Sequence, residues 1–350
     1  MTATRVHVCA PGWEGALAAE LGRVFPGSRH AQRGRGFVES ALAPEDAAGT
    51  PCLAFARQCL PEPEPIAAPS ISAWAAQGAQ KIAERLLGHE APWRLHVFCC
   101  EEPGSDARAR RCALVEAALL ELLKKRQRRL LRSRIADDAL PWAEGEALVQ
   151  IALERSGAGM LSAALPDERH RLRRALTRFC GGVVEVADDP APPSRAYRKL
   201  LEAELRLGVR IGDGETCADL GAAPGGWTHV ALHRGARVVA VDRSPLRADL
   251  MAHPNLDFVK GDAFSWAPAR PVDWLLSDVI AFPRRSVELL GAWLGARRCR
   301  RFVVTVKFKG EADYAELERL KAILAASGAE FEVRRLCNNK NEVTAFGTLG

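Results

Sequence analysis

Strand-like and helix-like segments alternate regularly through the second half of the chain. Apolar segments of strand length occupy residues 217–220, 237–241, 256–260, 274–277 and 301–306, and helical patterns occupy 198–207, 227–234, 286–294 and 314–327. Because parallel strands need a crossover, usually a helix, this order predicts βαβ units and a mostly parallel sheet of the α/β class. Two further strand candidates, 331–336 and 343–349, resemble a hairpin, so the last strand is expected to run antiparallel.

The first half of the chain mixes strands and helices without that regular order. Its strand candidates are 5–9, 36–40, 93–100, 147–154 and 159–164, and its helix candidates are 13–25, 71–87 and 108–134. This mixture predicts an α+β region. Proline-rich stretches at 61–69 and 188–193 interrupt the pattern, because proline fixes φ and lacks the amide donor that a helix or central strand needs. We therefore predict two domains, 1–189 and 190–350, with 1–65 as a candidate subdomain of the first.

The charge pattern bears on the partner. A net charge of +6, from 49 basic and 43 acidic residues, is too small to imply a polyanionic partner by itself. Basic residues nevertheless crowd between Lys124 and Arg134, and again between Arg169 and Arg178. Each run is either a solvated helix face or an RNA contact, and arginine suits both phosphates and bases. Two clusters in the same half of the chain favour a nucleic-acid partner.

The sequence contains no pattern typical of a membrane-spanning segment or of a metal site. No apolar run reaches the length of a membrane span, and residues 1–13 lack the charged-then-apolar layout of a signal peptide. The ten cysteines form no C-x-x-C pair, and no histidine lies at zinc-finger spacing. We expect a cytoplasmic protein with reduced thiols, and without a membrane partner, a disulfide framework or a bound metal.

A glycine-rich turn follows the strand candidate at 217–220. Gly221, Gly225 and Gly226 allow the backbone to approach a ligand closely, and amides at a helix start can bind a polar group. Asp242 lies 21 residues after Gly221, the spacing at which dinucleotide-binding enzymes hold ribose hydroxyls. The turn alone therefore fits a nicotinamide cofactor and a nucleoside methyl donor equally well.

Ionisable residues follow four of the predicted strands, immediately or nearly so. They are Asp242, Asp262, Asp278 and Lys307. In a doubly wound sheet, ligands bind outside the carboxyl ends of the strands, so these four side chains are expected to meet at one edge. A single aspartate at such a position is often a loop residue or a helix cap, but four residues together favour a site.

The segment Gly221-Ala222-Ala223-Pro224-Gly225-Gly226-Trp227 resembles the methyl-donor loop of the FtsJ-like RNA 2′-O-ribose methyltransferases. The Lys-Asp-Lys-Glu tetrad of that family is matched, in order, by Lys199, Asp278, Lys307 and Glu342. The resemblance implies a Rossmann-like methyltransferase domain that uses S-adenosyl-L-methionine as its cofactor. Two departures accompany the match: Ala223 stands where the family usually has cysteine, and the segment between Lys199 and Asp219 is short.

Three short segments elsewhere narrow the resemblance. Residues 10–14, 55–58 and 193–195 are similar to the branch of the family that methylates a cytidine ribose in bacterial 23S rRNA. This resemblance implies a THUMP-containing RNA-binding region ahead of the catalytic domain. It also implies an RNA partner, namely 23S rRNA before the ribosome is fully assembled.

The family resemblance implies a role for each residue. Lys307 is the candidate base for the hydroxyl proton, Lys199 holds the ribose or a phosphate, and Asp278 and Glu342 orient the lysines. A base must be neutral, which burial and nearby Lys199 favour, whereas the two carboxylates favour a charged Lys307 that stabilises the developing alkoxide. Both options stay open. The predicted donor-binding residues are Ser194, Gly221, Ala223, Pro224, Gly225, Gly226, Asp242 for the donor ribose, Asp262 for the adenine amine, and Asp278 near the methionine moiety.

Two other functions stay open: methylation of a different target, such as tRNA, another rRNA position, an RNA base or a protein, and RNA binding without catalysis. Base N-methyltransferases usually carry an Asn/Asp-Pro-Pro-aromatic loop after the fourth strand, and Ser277-Asp278-Val279-Ile280 lacks it. The intact tetrad argues against a non-catalytic protein.

Lys309 is a candidate substitute for Lys307 or a phosphate contact. We further expect Trp227 and Trp266 in the core, and His229 and His233 on a helix surface.

Overall fold

In the computed structural model, the chain divides into two compact units, Met1–Val183 and Val184–Gly350. The structure describes residues 3–43, 46, 51–100, 106–138, 140–155, 157–310 and 314–350. The division lies just ahead of the second proline-rich stretch. Residues 184–196, all of them described, form no helix or strand, and Pro190, Pro192 and Pro193 account for this.

The first unit contains two sheets. The first is antiparallel, in the order β2-β3-β1-β4, and consists of β1 (Ala3–Val8), β2 (Arg29–Gly34), β3 (Phe37–Leu42) and β4 (Gln58–Pro61). The second is mixed, in the order β5-β9-β8-β6-β7, and consists of β5 (Glu64–Ala67), β6 (Trp93–Cys99), β7 (Arg134–Ile135), β8 (Ala147–Arg155) and β9 (Ala158–Ala164). Apolar side chains of both sheets, including Val8, Phe37, Phe98 and Met160, share one core cluster.

Helices cover these sheets. They are α1 (Glu14–Val24), α2 (Ile71–Arg85), α3 (Asp106–Arg126), α4 (Arg128–Arg132) and α5 (Pro166–Arg171), with a 3-10 turn at Cys180–Gly182. Helix α2 begins where the Ser70 hydroxyl accepts the Ala73 amide at 3.1 Å, a typical N-cap. It buries Trp74 and Ile82 at helical spacing, which explains why its pattern is visible in the sequence.

The sequence predicts one helix over 108–134, and this is wrong. The helix ends at Arg126, because Gln127 has φ −138° and ψ 45°, and only the short α4 follows. Arg134–Ile135 then pairs with β6 at the edge of the sheet. The Trp93 indole donates to the Leu130 carbonyl at 2.7 Å and so ties this segment to the sheet. Tertiary contacts override the helical periodicity here.

Besides β7, three strands of the first unit, β2, β4 and β5, are not predicted from the sequence. Strands β4 and β5 lie in the proline-rich region, with Pro61 at the end of β4 and Pro65 inside β5. Both are edge strands, which is where a sheet tolerates proline. Strand β2 is largely exposed and polar, so it carries no alternating apolar signal.

The second unit is built on one seven-stranded mixed sheet, in the order β12-β11-β10-β13-β14-β16-β15. Its strands are β10 (Thr216–Leu220), β11 (Arg237–Asp242), β12 (Leu256–Lys260), β13 (Val272–Ser277), β14 (Cys299–Lys307), β15 (Glu330–Arg334) and β16 (Glu342–Thr348). Strands β10 to β14 pair in parallel, and β16 runs antiparallel to both β14 and β15. Its helices are α6 (Tyr197–Leu207), α7 (Gly226–His233), α8 (Ala248–Met251), α9 (Pro283–Gly295) and α10 (Ala315–Ala326).

The core of the second unit lies along the central strands. All of β13 is buried except Asp273, as expected when helices cover both faces of a parallel sheet. Trp227 and Trp274 belong to its main apolar cluster, so the prediction for Trp227 is confirmed. Trp266 is only partly buried and lies near Trp293, with ring centroids 6.1 Å apart.

His229 is buried, so the prediction that it lies on a helix surface is wrong. Its ring packs against that of the exposed His233, with centroids 3.9 Å apart. Burial, aided by His233 and the positive charge of Arg247, lowers the pKa of His229. Within the described ranges, no group of three or more His, Cys, Asp or Glu side chains is arranged to hold a metal. None of the helices in those ranges is long and apolar enough to cross a membrane.

Candidate active site

Three of the four tetrad residues meet where the direction of the sheet changes. Asp278 follows the last residue of β13, and Lys307 is the last residue of β14. Strand β16 runs the opposite way, so its first residue, Glu342, lies at the same edge and pairs directly with Lys307. Directly opposed residues point to the same face of a sheet. The topology itself therefore brings Asp278, Lys307 and Glu342 together.

Lys199 enters from helix α6 and joins the two carboxylates. Its Nζ donates to a carboxylate oxygen of Asp278 at 2.7 Å and to Oε1 of Glu342 at 3.1 Å. The side chain is 7% exposed, so this ammonium is enclosed by its two partners. A buried cation needs such pairing, because an unpaired one loses its hydration without compensation. Lys199 is therefore held in place by the site.

Lys307 has different surroundings. Its Nζ donates to the backbone carbonyl of Asp278 at 2.7 Å and lies 3.1 Å from Oδ1 of the same residue. Its side chain is 23% exposed, about three times the fraction of Lys199. Lys307 is the tetrad lysine that a ligand from solution can reach.

Glu342 is oriented by a residue that sequence reasoning missed. The buried Asn339 donates from Nδ2 to Oε1 of Glu342 at 3.1 Å, and its Oδ1 accepts the Leu336 amide. Burial raises the pKa of Glu342, but the Lys199 charge and the bonds from Asn339 and Lys199 outweigh it, and the net pKa is lowered. Glu342 is thus a carboxylate anchored by the turn between β15 and β16. No spacing in the sequence signals this role for Asn339.

The glycine-rich turn after β10 is closely packed. Gly221 has φ +76°, and a Cβ there would lie 2.7 Å from the Cβ of Val279. Gly225 has φ +108°, with Leu250 beside it, and a Cβ on Gly226 would overlap the hydroxyl of Ser194. A side chain at any of the three positions would therefore displace a neighbour. Ala223 and Pro224 lie in the same turn, joined by a cis peptide bond.

Two aspartates next to this turn are fixed by backbone amides. Asp242 accepts the Ala223 amide at 3.0 Å and the Ser244 amide at 2.9 Å. Asp262 accepts the Phe264 amide at 3.0 Å and a guanidinium N–H of Arg243 at 2.9 Å. The hydrogen bond from the Phe264 amide, aided by the hydrogen bond and charge of Arg243, outweighs the opposing effect of burial and lowers the pKa of Asp262. Both carboxyl groups are therefore held in fixed orientations.

A cavity opens at the carboxyl ends of strands β10 to β13. Its lining includes Gly221, Asp242, Asp262, Phe264, Val279 and Arg285. It combines two anchored carboxylates, an aromatic ring and a glycine that allows close backbone approach, which suits a nucleoside. Of the other predicted donor-binding residues, Ser194, Ala223, Pro224, Gly225, Gly226 and Asp278 lie around the turn and the tetrad rather than in the cavity lining.

Asp219 is a further buried carboxyl group near this turn. It lies in β10 and accepts the hydroxyl of Thr228 at 2.6 Å. Burial raises its pKa to about 7, although the hydrogen bonds from Thr228 act in the opposite direction. Asp219 therefore changes its charge near neutral pH, next to the candidate site.

The basic clusters of the first unit separate into exposed and structural residues. Lys124, Lys125, Arg126, Arg128, Arg129 and Arg132 are exposed at the end of α3 and in α4. In the second cluster, Arg169 lies over the Trp142 ring at 4.6 Å and donates to the Glu146 carbonyl at 2.7 Å. Arg178 lies 4.5 Å from the Phe179 ring centroid. In the second cluster, Arg169 and Arg178 therefore make contacts within the folded first unit.

Comparison with known proteins follows the same division of the chain. Residues 192–294 match the model of the FtsJ-like methyltransferase family. The matched segment contains the glycine-rich turn, Lys199, both cavity aspartates and Asp278, whereas Lys307 and Glu342 lie beyond it. The predicted resemblance to the FtsJ-like methyltransferases is therefore confirmed.

Curated relatives carry the name "Ribosomal RNA large subunit methyltransferase M". The one from Thauera aminoaromatica is 36% identical over 179 residues, covering 48% of this chain and 49% of that protein. That from Marinobacter nauticus is 32% identical over 216 residues, 58% of each chain. That from Pseudomonas putida is 36% identical over 223 residues, covering 55% of this chain and 61% of that protein. The matches thus span about half to three fifths of the length of these relatives.

Proposed function

We propose that this protein transfers a methyl group from S-adenosyl-L-methionine to the ribose 2′-hydroxyl of a cytidine in 23S rRNA. The observation that carries the proposal is the position of Lys307. Its Nζ is held by Asp278 at 2.7 and 3.1 Å, remains accessible, and shares Asp278 with the enclosed Lys199. A reacting hydroxyl at this point meets a positioned nitrogen beside Asp278, and Val279, the next residue, lines a cavity whose carboxylates and aromatic ring suit a nucleoside.

The cavity residues suit the methyl donor. Asp242 would accept the donor ribose hydroxyls and Asp262 the adenine amine, since both carboxylates are already oriented by backbone amides. Gly221 packs against Val279 where a Cβ would clash, so a side chain at this position would disturb the cavity wall that both residues form. When bound, the donor supplies a methyl group attached to a sulfonium sulfur, which can leave as a neutral thioether without further activation. The residues of the chain therefore need to act only on the hydroxyl side.

Lys307 handles the hydroxyl proton in this proposal. A ribose hydroxyl is a weak nucleophile at neutral pH, so its alignment and its proton both matter. Alignment in near-attack geometry supplies up to about 7–11 kcal/mol in favourable cases, and a positioned base adds a factor of about 10²–10⁴. The alternative role, a charged Lys307 that stabilises the alkoxide, places the same nitrogen at the same oxygen.

The other three residues position Lys307 and the ribose. Asp278 binds both lysines, so it fixes the distance between them. Glu342 pairs with Lys199 and, through the sheet register, lies opposite Lys307. Lys199 is enclosed by both carboxylates, so in this proposal it holds them in place and acts on the ribose only through them. We expect these residues to govern the precision of alignment rather than proton transfer itself.

The first unit is proposed to be a THUMP-containing RNA-binding region. Support comes from the exposed basic residues of α3 and α4, because cationic clusters bind the phosphate backbone. We further propose that the protein acts in the cytoplasm, before ribosome assembly is complete, when a target ribose can still reach Lys307. The curated relatives are named for the large-subunit RNA, which supports that choice of substrate.

The test combines transfer and mapping. Purified protein is incubated with tritiated S-adenosyl-L-methionine and 23S rRNA from a strain in which the corresponding gene is deleted. We expect label in 2′-O-methylcytidine after nuclease digestion and mass analysis of the nucleosides. Label in a methylated base, or in tRNA but not in 23S rRNA, would reject the proposed reaction or the proposed substrate.

A further inference from the structure

The segment after Asp278 exposes large apolar side chains beside the candidate active site. Ile280 is 88% exposed and Phe282 is 59% exposed. Ile280 lines the donor cavity, and Phe282 directly precedes Pro283, the first residue of α9. Single exposed apolar residues are common on protein surfaces. These two differ because they follow a tetrad residue within four positions.

A cation lies over the exposed aromatic ring. The Nζ of Lys309 is 4.0 Å from the centroid of Phe282. Lys309 follows the tetrad residue Lys307 by two positions, and Phe282 follows Asp278 by four. Chain length limits the Cα separations to about 7 Å for the first pair and about 14 Å for the second. Two different loops therefore bring a ring and a cation to the edge of the tetrad.

We propose that Phe282 stacks on the base of the nucleotide whose ribose is methylated, while Lys309 contacts an adjacent phosphate. This inference rests on the proposed function. The base is attached to the reacting ribose, so it must lie within a few ångströms of Lys307 when the hydroxyl is aligned. Single-stranded RNA is commonly recognised by stacking of splayed bases on aromatic side chains. Phe282 offers an exposed aromatic ring at the edge of the tetrad, in contact with Lys309.

The charges around the ring favour a nucleic-acid occupant over a protein one. Arg284 and Arg285 follow Phe282 at the start of α9, with side chains 69% and 51% exposed. Arg284 is paired with Glu288, and Arg285 lies 3.9 Å from Asp262, so both of these charges are partly neutralised. Lys309 places a further cation at the ring itself. A phosphate backbone is complementary to a cation beside an aromatic ring. The Phe282–Lys309 pair thus positions the substrate and leaves proton transfer to Lys307.

The first test separates substrate binding from catalysis. Phe282→Ala should raise the KM for a 23S rRNA fragment about 5- to 20-fold, the lower part of the range for loss of one stacked base. The kcat should change less than about threefold, and the Kd for the methyl donor should not change. Phe282→Tyr, which keeps the ring, should restore the KM. Val209→Ala, an exposed apolar residue beyond the far end of α6, is the matched control.

The second test removes the base instead of the ring. With an RNA fragment whose target nucleotide is abasic but retains its 2′-hydroxyl, the KM of the wild-type protein should rise by the same factor as the Phe282→Ala substitution causes on intact RNA. On the abasic RNA, Phe282→Ala should raise the KM no further. An unchanged KM for Phe282→Ala, or an equal loss on intact and abasic RNA, would overturn the stacking proposal.

The result can be distinguished from failure of the proposed function. If the wild-type protein transfers no methyl group to RNA, the proposed function fails by itself. The stacking proposal is then decided by equilibrium binding of a short oligocytidylate and its abasic counterpart. Weaker binding of the oligocytidylate by Phe282→Ala, with no difference for the abasic strand, supports stacking. Equal binding by both proteins rejects it.

Discussion

The two lysines of the site differ in what surrounds them. Lys199 is enclosed between Asp278 and Glu342, whereas Lys307 is bound to Asp278 and no other described residue, and reaches solvent. The position of an enclosed cation is fixed by its carboxylate partners, and the cation in turn holds those carboxylates in place. An accessible nitrogen can approach a substrate atom. We therefore assign positioning to Lys199 and reaction chemistry to Lys307.

Lys199→Met should destabilise the protein strongly. The substitution leaves the Asp278 and Glu342 carboxylates close together without the cation between them, and breaking such a buried pair costs about 3–5 kcal/mol. Urea unfolding at pH 7 measures this loss. Lys307→Met, at the more exposed lysine, is the control and should lose clearly less. Equal losses for the two variants would contradict the assignment of Lys199 to the buried centre.

Asp219 should make stability depend on pH. Its pKa is 3.8 in the reference state and about 7 in the folded protein. Between these values the folded protein keeps a proton that the unfolded chain releases, so this group lowers stability as pH rises from about 4 to about 7. Asp219→Asn should remove that fall because an asparagine side chain does not titrate, and its amide oxygen can still accept the Thr228 hydroxyl and so preserve the packing.

Chemical unfolding across that pH range measures the slope. The control is Asp257→Asn, at an exposed position of β12, which should leave the slope unchanged. If Asp219→Asn and the wild type show parallel profiles, Asp219 does not titrate as its burial indicates.

At the scale of the elements, the turn between β15 and β16 belongs to the candidate site because it orients Glu342. Asn339 uses both ends of its amide: Oδ1 accepts the Leu336 amide and Nδ2 donates to Glu342. It therefore closes the turn and orients the carboxylate at once. The position of Glu342 opposite Lys307 depends on this turn as well as on the strand register.

Asn339→Ala should lower both stability and turnover. It leaves the Leu336 amide without its acceptor, at about 1–3 kcal/mol, and frees Glu342 to move. We expect kcat to fall about tenfold because misplacement of a tetrad residue affects alignment. Thermal unfolding and steady-state methyl transfer measure the two effects. Lys340→Ala, an exposed neighbour, should leave both unchanged, and a full-rate Asn339→Ala enzyme would exclude the turn from the site.

Much of the catalytic unit could be predicted because its strands are buried and alternate with helices. The tetrad could be recognised because its residue types and order resemble a known family. Asn339 could not, because its role depends on the path of a turn that carries no periodic signal. The edge strands β4 and β5 and the break at Gln127 were missed for a related reason: sheet pairing, not local propensity, decides them.

At the scale of the whole molecule, the exposed cationic surface belongs to the first unit and the tetrad to the second. Phosphate contacts supply affinity without selecting a nucleotide, whereas the residues around Lys307 are expected to select it. We therefore expect the two units to have separable effects on RNA binding and on methyl transfer. This separation can be measured by changing ionic strength.

Replacing Lys125, Arg128 and Arg132 with glutamine should weaken RNA binding and flatten its salt dependence. For every phosphate of single-stranded RNA that the protein no longer neutralises, the slope of log K against log salt should become shallower by about 0.7. Fluorescence anisotropy with a 23S rRNA fragment at several salt concentrations measures the slope. Arg169→Gln serves as a contrast, because Arg169 is held by Trp142 and Glu146 and should affect stability more than the slope. An unchanged slope in the triple variant would assign α3 and α4 to ordinary solvent-facing surface.

The most direct test of the central claim is single-turnover methyl transfer by Lys307→Met, with tritiated donor and 23S rRNA. We predict a rate at least about 100-fold below wild type, as expected when the group acting on the hydroxyl proton is lost. Calorimetry should give a donor Kd within about twofold of wild type, because Lys307 does not line the donor cavity. Lys309→Met should keep a near-normal rate at saturating RNA. A Lys307→Met protein that transfers methyl groups at the wild-type rate would contradict the account.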